Sequence, residues 1–212
     1  MSPNRVVGWP RADSPPGTSG GAAVAPVTAD PIDIPVPGLV VLIGAAGAGK
    51  STLAARLFEP SEIVSSDALR ERLSGDAADQ RATRPAFAIL HREVRRRLAA
   101  GRLVVVDATN VEPTARATLR GLADASRVPI VAIAIVPSVT EVHGRNASRA
   151  ARVVPRDIVD RHLGRLDDLG TTSAAIAAAL RAEGFTAVHV LRSADELDSV
   201  EVRRVANPVS RR

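Results

Sequence analysis

The sequence predicts an α/β fold: a mostly parallel sheet of about five strands, with helices on both faces and an arginine-rich helical lid. Three observations carry this. Short apolar runs alternate with amphipathic stretches, the pattern of a doubly wound parallel sheet. The first run, Leu39-Val40-Val41-Leu42-Ile43, is continuously apolar, as a strand covered on both faces must be. It leads into a glycine-rich stretch and then a helix.

That stretch is Gly44, Ala45, Ala46, Gly47, Ala48, Gly49, Lys50 and Ser51, followed by Thr52, and it fits G-x-x-x-x-G-K-[ST] without a mismatch. Glycine allows the tight turns that point successive backbone N–H groups at phosphate oxygens. Lys50 would reach the β- and γ-phosphates of a nucleoside triphosphate, and Ser51 would ligate Mg²⁺. A helix over Ser51 to Phe58 would aim its positive N-terminal end at the same anion. Lys50 is the sole lysine among 28 basic residues, every other one being arginine. The one compact ammonium stands where this chemistry requires it.

The remaining elements follow in order. Glu62 to Ser65 reads as a second strand, and Asp67 opens a short helix to Leu73. Residues Ser74 to Arg84 are polar and read as a loop. A helix from about Pro85 to Ala100 places Phe87, Leu90, Val94 and Leu98 on one face. Leu103 to Val106 is a third strand ending in Asp107-Ala108-Thr109-Asn110, and a helix spans Pro113 to about Ser126. Pro129 to Val136 is the fourth strand. Helices then start at Pro137 and Pro155, the latter running to about Leu169; an alanine-rich helix covers Thr171 to Ala182. Ala187 to Leu191 is the fifth strand, and Asp195 to Arg203 a weak last helix.

Met1 to about Val36 is rich in Pro, Gly, Ser and Ala without a periodic apolar face, and reads either as a disordered extension or as an over-long start. The expected domain therefore covers residues 37–206, with a tail over 207–212. The 212 residues, 45% of them hydrophobic, suit one α/β domain. The absence of cysteine excludes disulfides, thiolate metal sites and thiol nucleophiles, and fits a cytoplasmic location. No apolar run approaches the roughly 18 residues of a membrane span, and no secretory signal is evident. A net charge of +5 permits an anionic partner. With aromatics only 2% of the chain, a stacking platform for long single strands is not expected, so such binding would rest on charge.

In open parallel sheets ligands bind beyond the carboxyl ends of the strands, where two further polar clusters fall. Asp67, after strand two, can accept a proton from an attacking hydroxyl, with Arg70 one turn on holding an anionic acceptor; it can equally be a helix cap with Arg70 as its surface partner. Asp107, after strand three, fits a group that helps hold Mg²⁺, or an ordinary strand-end turn. The tract containing Arg145, Arg149, Arg152, Arg156, Arg161 and Arg165 is either a lid that neutralises developing charge or a solvated face, and the four-residue spacing of Arg145 and Arg149 puts both on one helix face. His91, His143, His162 and His189 show no metal or triad spacing and read as structural or surface residues.

The phosphate loop, Ser66-Asp67 with Arg70, Asp79-Gln80, Val106-Asp107-Ala108-Thr109-Asn110 and the Arg145…Arg149 pair occur in an order that resembles the 5′-hydroxyl polynucleotide kinase domain of bacterial polynucleotide kinase-phosphatases. The likeness spans about Pro37 to Arg204. It implies a P-loop kinase fold, and transfer of the ATP γ-phosphate to a 5′-hydroxyl end of RNA or DNA with Mg²⁺. Asp67 would be the general base and Arg70 the grip on the phosphate beside the acceptor nucleoside. Gln80 would be an acceptor-side contact, Arg145 and Arg149 lid arginines, and Asp107 either a metal-shell or an acceptor-positioning group. The phosphatase and ligase domains that often accompany this kinase are absent from the sequence, so the acceptor stays open: related kinases act on sugars, antibiotics and nucleotide-sugars, and a nucleotide-binding regulatory module is the non-enzymatic alternative.

Overall fold

The computed structural model describes residues 30–75, 81, 83–149 and 153–207. Its centre is a sheet of five parallel strands, β2 (Gly38–Ile43), β3 (Ile63–Ser65), β4 (Leu103–Asp107), β5 (Ile130–Ile135) and β6 (Ala187–Leu191), in the order β3-β4-β2-β5-β6. Register is set along β2 by Leu39 opposite both Val104 and Ile130, and Val41 opposite both Val106 and Ala132. Every residue of β2 and β5 is buried, which explains their unbroken apolar runs. From β2 the chain moves first to one side of the sheet and later to the other, so a crevice forms beyond the carboxyl end of β2.

Alternate residues of β2 feed two cores. Leu39, Val41 and Ile43 face a layer made by α3 (Thr83–Ala99), α4 (Pro113–Ser126), α6 (Arg156–Asp167) and α7 (Ser173–Glu183). Val40 and Leu42 face α1 (Lys50–Leu57) and Leu197 of α8 (Ala194–Ser199). Two further helices border the crevice, α2 (Ser66–Ser74) and α5 (Val139–Ala147). The helix expected from Pro137 starts two residues later, because Ser138 caps α5 and Glu141 completes the capping box.

Two features correct the expected boundaries. Ile32–Val36 is not an extension but a strand, β1, paired in parallel with β7 (Val202–Ala206) as a separate two-stranded sheet. Ile32 and Ile34 alternate inward onto the second core and are almost fully buried. Pro31, Pro35 and Pro37 hide this period-two signal, yet proline is tolerated in a strand at an unpaired edge. The helix expected over Asp195 to Arg203 stops at Ser199, and its last two residues, Val202 and Arg203, belong to β7, because Val202 and the residues after it pair with β1. Residues 1–29 and the end of the expected tail, 208–212, lie outside the described residues. Among the described residues no helix is long and apolar enough to cross a membrane.

Candidate active site

The phosphate loop joins β2 to α1. Gly47 has φ 88° and Gly49 φ 108°, backbone that side-chain-bearing residues rarely adopt. A Cβ at Gly47 would stand 2.7 Å from the Val142 carbonyl oxygen and 3.1 Å from the Asn146 Cβ, so α5 packs directly onto the loop. Lys50 is buried, and its Nζ donates to the carbonyl oxygens of Gly44 (2.9 Å) and Ala45 (2.8 Å). Burial pushes its pKa down to about 8; the Asp107 carboxylate opposes the shift and the Arg149 charge adds to it. Ser51 Oγ donates to Asp107 Oδ2 at 2.8 Å, joining the loop to the end of β4.

Beside the loop opens a cleft of about 280 Å³, whose walls include Lys50, Ser51, Asp67, Arg70, Asp107 and Arg149. Three separate sequence clusters thus meet in one space. Asp67 is the second residue of α2, and the cap is Ser65, whose side chain accepts from the Ala68 N–H. The capping alternative for Asp67 is therefore taken by another residue. Its carboxylate pairs with the buried guanidinium of Arg70.

The arginine pair divides. Helix α5 ends at Ala147, so Arg149 lies past it and does not share its face with Arg145; this corrects the expectation from spacing. Arg149 lines the cleft. Arg145 reaches the Ala48 carbonyl (3.4 Å) and Glu141 (3.2 Å). The cause of the division is Asn146. Its buried amide donates to the Val154 carbonyl (2.8 Å) and accepts from the Val154 N–H (3.1 Å), pinning the chain on both sides of Arg149. Gln80 and Arg152, and Asp79 with them, lie outside the described residues.

Other groups join the cleft, and of them only Arg161, within the arginine-rich tract, was flagged from sequence. Thr83 and Phe87 bring in the first turns of α3, and Arg161 and His162 come from α6. His162 is a cleft residue rather than a structural or surface one. Burial, reinforced by the charges of Lys50 and Arg161, holds its pKa below the ordinary value, and among the described residues its Nδ1 has no hydrogen-bond partner. Arg116, 1% exposed, donates to the carbonyls of Asn110 and Val111 and pairs with Glu183 of α7 (2.5 Å). It supports the segment after Asp107, whose Asn110 side chain donates to the Leu42 carbonyl (2.8 Å) and whose Thr109 carbonyl accepts from Gly44 N–H (3.0 Å). No spacing rule flags Arg116 or Asn146, since their partners are distant or are backbone atoms. A larger groove of about 470 Å³ runs along β6 between α7 and α8, but it contains none of the phosphate-loop residues.

A five-stranded parallel sheet with this loop at its switch point and helices on both faces is the fold of the P-loop kinases. Residues 39–169 match the AAA domain family, and the chain belongs to it. No curated protein matches the chain. Among solved structures, Kti12 from Chaetomium thermophilum in complex with ADP-AlF3 is similar at 18% identity and a TM-score of 0.54, covering 76% of this chain and 94% of that one. A chain of the Pnkp1/Rnl/Hen1 RNA repair complex is similar at 21% identity and 0.54, covering 64% of this chain and 45% of that one. The PezAT toxin-antitoxin system of Streptococcus pneumoniae follows at 14% and 0.54, with 78% and 71% covered. At these identities the likeness is one of fold.

Proposed function

We propose that the protein is an ATP-dependent kinase that transfers the γ-phosphate to a 5′-hydroxyl end of RNA or DNA. The observation that carries this is the convergence of Asp67 and Arg70 with Lys50, Ser51 and Asp107 on one cleft. A donor site alone would serve any nucleotide-binding module. A carboxylate that is not a helix cap, facing the phosphate loop beside a buried arginine, adds what an acceptor needs.

In this reading the loop N–H groups and the Lys50 ammonium hold the β- and γ-phosphates, Lys50 leaving the carbonyls of Gly44 and Ala45 to do so. The bonded pair Ser51 and Asp107 supplies the oxygen donors a hard cation takes, so Mg²⁺ fits there, and it would neutralise charge on the phosphates when bound. Asp67 accepts the proton of the acceptor hydroxyl as that oxygen bonds to the γ-phosphorus. The bond from that phosphorus to the β–γ bridging oxygen breaks, and ADP leaves. Arg70 holds an anionic group on the acceptor, and Arg149 covers the transferred phosphoryl group. Arg145 acts on the loop through Ala48.

The test is transfer from γ-labelled ATP to 5′-hydroxyl oligonucleotides, run beside a panel of sugars and other small hydroxylated acceptors. Label on the oligonucleotide 5′ end is the expected result. Label on a small acceptor alone would replace this reading with that of a small-molecule kinase, and hydrolysis or binding without any acceptor would leave a regulatory module.

A further inference from the structure

Helix α3 carries five arginines, Arg84, Arg92, Arg95, Arg96 and Arg97, and a single acidic residue, Glu93. Glu93 is already engaged by Arg96 (2.7 Å) and Arg97 (2.6 Å), and Arg97 also donates to the carbonyls of Ser61 and Ile63. Among the described residues, Arg84, Arg92 and Arg95 have no ion pair. All three are exposed, and at 100° per residue they fall within about 80° of the helix circumference. The opposite face, Ala86, Leu90, Val94 and Leu98, is buried, so the stripe points squarely to solvent.

Its direction matters. The chain leaves α3 at Ala99 and enters β4 at Leu103, so the far end of α3 lies at the amino ends of the strands. The near end lies at the carboxyl ends, where Thr83 and Phe87 form part of the cleft wall. The stripe therefore starts at the cleft rim beside Thr83 and runs away from it. From Arg84 to Arg95 it extends roughly 17 Å, at about 1.5 Å per residue. At about 3.4 Å per stacked nucleotide that is a run of roughly five phosphates.

We propose that this stripe binds the phosphate backbone of a single-stranded nucleic acid whose 5′ end lies in the cleft. The inference rests on the polynucleotide reading above and deepens it: the acceptor is an oligonucleotide several residues long, held by charge along α3. Charge complementarity selects this occupant, since three arginines in line without acidic partners match a strand with evenly spaced negative charges. With so few aromatic side chains the contact is independent of base sequence.

The test uses the full-length protein and a 12-nucleotide 5′-hydroxyl single strand labelled at its 3′ end. Binding is read by fluorescence anisotropy between 50 and 200 mM salt, for the wild type and for the combined variant Arg84→Ala, Arg92→Ala, Arg95→Ala. Three lost phosphate contacts at about 0.7 per charge reduce the log–log salt slope by about 2, so the wild type should lose roughly 20-fold more affinity over this range than the variant. The corresponding Arg→Lys variant should keep most of the slope. A wild-type slope in the alanine variant, or no binding of the 12-mer by the wild type, would overturn the stripe. Transfer from γ-labelled ATP to a 5′-hydroxyl dinucleotide, too short to extend along α3 to Arg92 and Arg95, separates the two proposals. Dinucleotide phosphorylation with an unchanged slope sinks the stripe and keeps the kinase reading; a reduced slope with no transfer to any oligonucleotide does the reverse.

Discussion

Replacing Asn146 by alanine tests whether one buried amide sets the position of Arg149. The side chain makes two bonds to Val154, at 2.8 and 3.1 Å, and both residues are buried. In Asn146→Ala the Val154 carbonyl and N–H each lose a partner, and an unsatisfied buried group costs about 1–3 kcal/mol. Val153, next to Val154, is exposed, so water relieves part of this, and about 2–3 kcal/mol is expected. For a domain of this size that lowers Tm by about 4–12 °C. Because the pinned chain carries Arg149 into the cleft, kcat should fall as well, with a smaller change in ATP affinity. Thermal unfolding and steady-state transfer on the same preparation check both. A Tm within 1 °C of wild type together with unchanged kcat would refute the argument.

Three further outcomes follow from the site. Asp67→Asn should lower transfer by about 10²–10⁴ while ATP affinity stays close to wild type, as measured by single-turnover transfer and nucleotide titration; wild-type turnover would remove Asp67 from proton transfer. Arg149→Ala should lower kcat at least about tenfold, and more than Arg145→Ala, since only Arg149 lines the cleft; an equal loss would mean that both act on the nucleotide in the same way. Lys50 is protonated below its pKa of about 8 and loses its charge above it, so ATP affinity should be flat from pH 6.5 to 7.5 and then fall, by up to about tenfold per pH unit. The same depressed value gives a stability term of defined sign. The folded protein binds its Lys50 proton less tightly than the unfolded chain does, so this residue's contribution to stability rises with pH between about 8 and the ordinary lysine value of 10.5. Nucleotide affinity independent of pH up to 9.5 would show that the ammonium is not needed.

What was legible in the sequence was local. Gly44 to Ser51 encodes its own backbone path, and the apolar run of β2 states that it lies between two layers, so the loop and its strand follow from adjacent residues. The five-stranded sheet follows for the same reason. Asp67, Arg70 and Asp107 could be placed at strand ends, although their meeting in one cleft depends on strand order. The Arg145–Arg149 pairing failed because spacing assumes a continuous helix, whereas α5 ends at Ala147 and the Asn146 side chain ties its last turn to Val154. Strand β1 was hidden because its partner lies at the far end of the chain, and three prolines mask the alternation of Ile32 and Ile34. Arg116 was illegible for a related reason: a buried guanidinium is tolerated only through Glu183 and two carbonyls, and its carboxylate is 67 residues away.

The β1–β7 pair also imposes an order on synthesis. Asp33 and Arg203 bond across this ribbon although they stand 170 residues apart. Ile32 and Ile34 leave the ribosome before any of the sheet they cover, and their partner strand is made only after all five strands of that sheet. Until Val202–Ala206 is released, the first strand lacks its ladder and a face of the second core stays open to solvent. The growing chain therefore holds an unpaired apolar strand until all five strands of the central sheet have been made, and the ribbon can close only after them.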